Sequence, residues 1–524
     1  MYSTASIRLA KIIRERVECS LQETQIGLEK ESLRVSPDGH IAQTDHPSLL
    51  GSALTHPNIT TDYSEALLEF VTPPFASVNS ALKCLNELQT FVYQKLENEF
   101  LWATSMPCVI GGEQSIRIAE YGSSNIGRMK NVYRRGLGHR YGKTMQVIAG
   151  VHFNYSYPDS FWMHYQEALE SQITLADFKN EHYFALTRNL LRFSWLISYL
   201  FGASPAVCKS FFGGEETNLK EYDQQTYYEP YATSLRVADI GYQNNLEEDA
   251  GLYVDYSSLE TYVSTLKYGI ETPHSAYEAI GVKKDGQWQQ LNANILQIEN
   301  EYYSAVRPKP LLNGNQKPTS ALRERGTQYI ELRLLDVNAF DPLGINEAQL
   351  YFLEGFILFC LLHESPQIQR DEYKALKYNQ NLAARSGRDP DTYLWRQGQK
   401  IKLRDWAYEL CQVMEGFFEL LDVADASNNY TQALKMQTEA VLDANLTPSA
   451  RMLACMKENG EGFYEFALRM SQKHQRYFQA QALSDLHRQQ LVDQVQYSLE
   501  KQQAIETADK ISFEQFLDNY FKQP

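Results

Sequence analysis

Residues 146–155, Gln146-Val147-Ile148-Ala149-Gly150-Val151-His152-Phe153-Asn154-Tyr155, change character with a period of two. An extended strand points successive side chains to opposite faces. Gln146, His152 and Asn154 then share one face, and Val147, Val151, Phe153 and Tyr155 share the other. The stretch predicts a strand with an apolar back and a polar front carrying one histidine.

Working outward, other segments show the same device. In Gly27–Val35, Glu29 and Glu31 share a face. In Glu65–Thr72, Glu65 and Glu69 oppose Leu68 and Phe70, and Pro73-Pro74 stops the run, which favours a strand over a helix. Gln297–Glu301 repeats the pattern, and Tyr329–Arg333 puts Glu331 beside Arg333. A solvated sheet face also alternates, but usually with Lys, Thr and Ser. Carboxylates gathered on one buried face repel unless cations neutralise them. Hard oxygen ligands select Mg²⁺, Mn²⁺ or Ca²⁺, and Mg²⁺ commonly works with substrate phosphates. The pattern points to a sheet lined with carboxylates, one histidine and one arginine, holding divalent cations against a nucleotide or phosphorylated intermediate.

Composition narrows the class. The 524 residues carry 49 Lys+Arg against 65 Asp+Glu, a formal net charge of −16. No long basic stripe exists to neutralise a polyphosphate, so a dedicated nucleic-acid binder is excluded. The locally basic stretch 366–405 reads as a solvated face. With 43% apolar and 12% aromatic residues the chain can fill a core, which excludes intrinsic disorder. The N-terminal stretch lacks the apolar run of a secretory signal, and the longest uncharged run, 193–208, is too short to span a bilayer. Seven scattered cysteines without a CxxC pair predict reduced thiols in a cytoplasmic protein. Phosphate-loop, dinucleotide, zinc-protease and serine-hydrolase motifs are all missing.

Organisation follows the same signals. Residues 5–23 and 79–100 read as amphipathic helices, and the prolines of 307–320 predict an ordered loop or flap. After about Asn346 the strand signals vanish, and 346–363, 402–423, 431–442, 448–456 and 475–507 show helical spacing. We expect an α+β fold with an antiparallel or mixed sheet. A sheet-containing core over 1–345 and a helical part over 346–524 would form one integrated module without a linker. Two further clusters, 125–137 with Tyr133 and Arg134, and 231–242 with Arg236 and Tyr242, offer arginines suited to a carboxylate or phosphate.

Taken together, the words GLEKESLRV (27–35), HPSLLGSALTHPNITTDYSEALLEFVTP (46–73), YGKTMQVIAGVHFNYS (141–156), YATSLR (231–236), LQIENEYY (296–303) and YIELRLLD (329–336) resemble the proteobacterial glutamate–cysteine ligases. The resemblance covers nearly the whole chain and is loosest in the helical tail. It implies an ATP-dependent carboxylate–amine ligase with a glutamine synthetase-like funnel, joining L-glutamate to L-cysteine through a γ-glutamyl phosphate. It implies metal ligands at Glu29, Glu31, Asp62, Glu69, His152 and Glu331, for Mg²⁺ or Mn²⁺, with ATP as co-substrate. It implies a cysteine-side pocket of Tyr63, Tyr133, Leu137, Gln146, Arg236, Tyr242 and Tyr303, and phosphoryl-facing arginines at Arg134 and Arg333. The family carries phenylalanine where this chain has Tyr63. Asp62 and Glu69 remain alternatives for the base that takes the amine proton. The partners expected are small molecules only, without nucleic acid or membrane, and the chain is expected to act as a monomer. The rivals are a ligase for another amine, a paired-carboxylate hydrolase needing no ATP, and a non-catalytic binder of glutamate or nucleotide.

Overall fold

The structure, a computed structural model, describes residues 2–241 and 250–523. Its centre is a seven-stranded antiparallel sheet made of β1 (Gln25–Val35), β2 (Ile59–Thr61), β3 (Leu67–Val71), β4 (Phe100–Leu101), β5 (Gly150–Ser156), β11 (Val306–Lys309) and β12 (Tyr329–Asp336). The order is β11-β12-β5-β1-β3-β2, with β4 pairing the far end of β1. Two small ribbons flank it: β6 (Ala206–Cys208), β7 (Lys220–Glu221) and β8 (Thr226–Tyr228) form one, and β9 (Lys283–Lys284) with β10 (Gln287–Trp288) forms the other.

Register explains the two faces. Glu29 lies opposite His152 on β5 and Val71 on β3, Glu31 lies opposite Glu69, and Glu331 lies opposite Asn154. A slip of one residue on any strand would turn its carboxylates into the core. Behind them Leu28, Leu68, Phe70, Val151, Phe153 and Leu332 are fully buried. At roughly 1.5–3 kcal/mol for each large apolar side chain, this back face fixes the register.

Helices cover the back. Val78–Tyr93, Leu175–Arg192 and Ser194–Phe201 pack on its strands, and Glu347–Leu362 lies against the first two. Glu347–Leu362 is apolar around its whole circumference and buried from Gln349 to Leu362, as such a helix must be. Asn346 starts it with a reciprocal cap to Gln349. The helices Leu403–Asp425, Asn429–Leu442, Pro448–Asn459, Phe463–Gln479 and Asp485–Ala508 follow, and one hydrophobic core runs from Tyr2 to Leu491.

Several expectations need correction. Met145–Val147 is a 3₁₀ turn, so Gln146 precedes the strand rather than standing in it. Glu299–Glu301 is also a 3₁₀ turn, and its acids are structural: Glu301 pairs with Arg140 at 2.8 Å and Glu299 accepts from Thr319. Glu65 lies before β3 and accepts from the backbone of His46 and Glu120, clamping two loops. The first helix is Ser3–Arg14, followed by a 3₁₀ segment, and the second ends at Tyr93. The stretch 307–320 opens as β11 and ends in a helix that starts at Pro318, and the expected loop is confined to 310–317 between them. The tail contains a hairpin of β13 (Tyr393–Arg396) and β14 (Gln399–Lys402), and 475–507 is broken between Gln479 and Asp485. Finally, Cys108 and Cys208 form a disulfide, leaving five free cysteines. They are 100 residues apart, and only the packing of the loop after β4 beside β6 makes them neighbours.

Candidate active site

The front of the sheet gathers ionisable side chains because alternate residues of four strands point there. Glu29, His152 and Glu331 bring ligand atoms within 4.8 Å of one another. His152 Nδ1 is 2.9 Å from Glu29 Oε2 and 3.8 Å from Glu331 Oε1, and its Nε2 is 3.8 Å from Glu31. Asn154 donates to the other oxygen of Glu29 at 2.9 Å. Glu31 accepts the amide of Gly150 at 2.6 Å, which orients its carboxylate across the strand gap.

Electrostatics divides this face. Burial would raise the Glu29 carboxyl, but the hydrogen bond from His152 and the charges of His152 and Lys309 hold it below the usual carboxylate range. Glu331 is buried too, and Lys309, Arg333 and Arg307 outweigh that burial and hold it well below. Arg333 Nη1 lies 3.1 Å and Lys309 Nζ 3.4 Å from Glu331 Oε1. On the β3 side the balance reverses. Burial pushes Glu31 up with Asp62 adding to it, and burial pushes Glu69 well up with Glu29, Asp62 and Glu31 adding to it. One half is matched by cations of the protein; the other holds more carboxylate than it neutralises.

The remaining predicted residues surround this face. Arg134, on the helix Asn125–Tyr141, donates to the carbonyl of Asp62 and lies over Tyr121 at 4.8 Å. Tyr133 and Leu137 are one turn apart on that helix, and Leu137 is buried. Tyr63 is buried with no hydrogen-bond partner for its hydroxyl. A Cβ at Gly138 would stand 2.5 Å from that oxygen, so glycine is required there. Arg236 is buried, donates to the carbonyl of Arg333 at 3.1 Å and sits 3.8 Å from Asp336. It passes so close to Gly150 that a Cβ there would meet its Nη2 at 2.0 Å. The Tyr303 hydroxyl is raised by burial and faces the charges of Arg236 and Arg333. Gln146 is buried, and Tyr242 lies outside the described residues. The cysteine-side set thus falls in two groups, Tyr63, Tyr133 and Leu137 beside Asp62 and Arg134, and Arg236 with Tyr303 beside Arg333.

Lys309 and Arg307 were missed by the sequence reading. They alternate correctly in Arg307-Pro308-Lys309-Pro310, but the prolines read as breakers. β11 is an edge strand, where a proline loses no ladder bond.

A model of the glutamate–cysteine ligase family matches residues 9–383. The glutamate–cysteine ligase of Alcanivorax borkumensis is 47% identical over 98% of both chains. That of Pseudomonas putida is 47% identical over 93% of this chain and 90% of its own. The chain belongs to the glutamate–cysteine ligase family. As a glutamate–cysteine ligase it forms γ-glutamylcysteine at the expense of ATP, in glutathione synthesis. The crystal structure of the glutamate–cysteine ligase of Francisella tularensis in complex with AMP superimposes with a TM-score of 0.89 at 35% identity, over 95% of this chain and 97% of that one. A bifunctional glutathione synthetase from Pasteurella multocida shares the fold, with a TM-score of 0.67 at 24% identity over 89% of this chain and 53% of that one.

Proposed function

We propose that the carboxylate face is the catalytic centre of this ligase, and that the reaction runs through a γ-glutamyl phosphate in a glutamine synthetase-like funnel. The observation that carries the reading is the convergence of Glu29, His152 and Glu331 beside Arg333 on one face of one sheet. Glu29, His152 and Glu331 would hold one divalent cation, Mg²⁺ or Mn²⁺, and Glu31, Asp62 and Glu69 supply hard oxygens for others. The fit is chemical: Glu331 Oε2 is buried without a hydrogen-bond partner, and the β3 side carries carboxylates its own cations do not balance. Bound there, such ions would offset the charge of the ATP phosphates.

The chain's own residues then have separable tasks. Arg333 and Arg134 donate to the equatorial oxygens of the phosphoryl group as it moves to the glutamate side-chain carboxylate. Glu331 holds Arg333 in place. Arg236, with Nη2 on the Arg333 carbonyl and Nη1 3.8 Å from Asp336, keeps its buried Nε and Nη1 without hydrogen bonds, suited to a substrate carboxylate. Tyr63, Tyr133, Leu137, Gln146 and Tyr303 form the cysteine-side pocket, with Tyr242 assigned to it from the sequence alone. The cysteine amine attacks the acyl carbon of the γ-glutamyl phosphate, Asp62 or Glu69 takes its proton, and the C–O bond breaks to release inorganic phosphate.

We also infer one integrated module, because the core runs through both halves, and a monomer, because a single chain supplies the whole ligand set. A cytoplasmic location accords with the small-molecule substrates. Among the described residues no helix is long and apolar enough to cross a membrane. The test is ADP release by purified protein with ATP, Mg²⁺ and glutamate, with and without cysteine. Full-mixture turnover giving the mass of γ-glutamylcysteine is expected. Equal ADP release with cysteine absent, or product from another amine only, would remove the cysteine assignment.

A further inference from the structure

A short strap, residues 119–121, joins two elements of the candidate site. The Ala119 amide donates to the carbonyl of Tyr63 at 3.0 Å, and the Glu120 amide donates to Glu65 Oε2 at 2.8 Å. Those bonds fasten it to the turn that carries Asp62. It is also fastened to the helix Asn125–Tyr141, which carries Tyr133, Arg134 and Leu137. Asn131 Nδ2 donates to the Ala119 carbonyl at 2.9 Å. The Tyr121 carbonyl comes so near Gly127 that a Cβ there would stand 2.3 Å from its oxygen.

The Tyr121 side chain ties the two elements a second time. It is 2% exposed and packs with Ala53, Leu54 and Ala119. Its hydroxyl oxygen lies 2.9 Å from the carbonyl of Thr61 and 3.0 Å from that of Asp62, and it receives the Thr61 hydroxyl at 3.2 Å. Two cations one turn apart on the helix lie over its ring, Arg134 Cζ at 4.8 Å and Lys130 Nζ at 5.1 Å from the centroid. The ring quadrupole attracts both, more strongly where water is excluded. Arg134 is held on its other sides by backbone: Nε donates to the carbonyl of Asp62, and Nη1 donates to that of Lys130 at 3.1 Å. The Asp62 carbonyl is thus a post shared by the Tyr121 hydroxyl and the Arg134 guanidinium.

We propose that Tyr121 is a positioning residue for the ligase reaction. Resting on the proposed role of Arg134 at the phosphoryl group, Tyr121 fixes that guanidinium beside Asp62 and leaves its Nη2 edge for the transferring oxygens. A charged donor that wanders by about 1 Å can cost up to roughly 10²-fold in rate. The loss belongs to kcat rather than to the cysteine KM. Neither the carbonyls that Tyr121 bonds nor the cations over its ring belong to the cysteine-side set.

The full chain is tested in a double-mutant cycle of Tyr121 with Arg134, read as kcat and the cysteine KM. Tyr121→Leu should lower kcat roughly tenfold while the cysteine KM stays within about twofold. Arg134→Ala should lower kcat roughly 10³-fold. Adding Tyr121→Leu to it should change kcat by less than about twofold, because no guanidinium remains to be placed. Tyr121→Phe keeps the ring and should lose about threefold, again with nothing further beside Arg134→Ala, so the cycle still decides where the leucine variant does not fold. Equal losses in both backgrounds, or a cysteine KM that rises as kcat falls, would make Tyr121 a packing residue and overturn the inference while leaving Arg134 in its role. Parental turnover in Arg134→Ala alone would instead remove Arg134 from the phosphoryl group, and the inference with it.

Discussion

On the front of the sheet Glu29, Glu31, Glu69 and Glu331 crowd around one histidine, whereas behind it Lys30 and Glu354 are each buried almost alone. The back-face groups respond as isolated charges do. Burial lowers the Lys30 ammonium to about 7 and raises the Glu354 carboxyl to about 8. Their polar anchors are neutral, Gln89 for Lys30 at 2.5 Å and, for Glu354, the hydroxyls of Tyr430 at 3.4 Å and of Tyr155. On the front, Lys309, Arg307 and Arg333 instead hold Glu331 ionised. A lone buried charge sheds itself, while pooled charges persist wherever a counter-charge is near and await one where it is not. The first arrangement builds a core; the second builds a site.

The sharpest way to break that contrast is at Arg333. Removing the guanidinium by Arg333→Ala should lower kcat by roughly 10³–10⁴-fold, the scale of an arginine that meets a transferring phosphoryl group. ATP affinity, measured by equilibrium titration, should change little. Turnover near the parental rate would mean that Arg333 only balances Glu331.

The matching change behind the sheet is Phe153→Ala. Phe153 is fully buried and stands one residue beyond His152 on the same strand. Its loss should cost about 3–5 kcal/mol of stability in denaturant titrations. The Mg²⁺ requirement of the folded fraction should stay parental. A shifted Mg²⁺ titration would show that the two faces are not separable.

Glu29→Gln tests the ligand assignment more gently. The amide keeps the size and can still bond Asn154 or His152, but it loses the charge. The Mg²⁺ concentration for half-maximal activity should rise roughly 10- to 100-fold. An unchanged titration would return Glu29 to a structural role beside His152.

The front face was legible because strand period and residue type agree there: Glu69, His152 and Glu331 each stand between apolar neighbours that point the other way, and Glu29 and Glu31 stand two residues apart on one strand. Where the same residue types fell in short turns, the period misled. Glu299 and Glu301 alternate like ligands yet serve Thr319 and Arg140, because a 3₁₀ turn of three residues shows no period of its own. Lys309 and Arg307 were hidden by prolines that only an edge strand tolerates. The Cys108–Cys208 bond and the pairing of Arg236 with Asp336 join residues about a hundred positions apart, and no local pattern encodes such contacts. Glu354 gave no signal either, being one acid in the apolar interior of a helix.

That acid carries the smallest and most specific expectation. The folded-state value of Glu354, about 8, lies above its unfolded value of 4.5, so the native state binds a proton the unfolded chain has released. Its contribution is fully present below pH 4.5 and declines as pH rises toward 8, by at most about 1.4 kcal/mol per unit. Glu354→Gln removes the titrating group while keeping a partner for Tyr430, so it should flatten that part of the stability profile and leave the acid limb alone. Parallel profiles for parent and variant between pH 5 and 8 would mean that the Glu354 carboxyl is ionised behind the sheet. The contrast would then lie in how each face solvates charge, rather than in whether it keeps one.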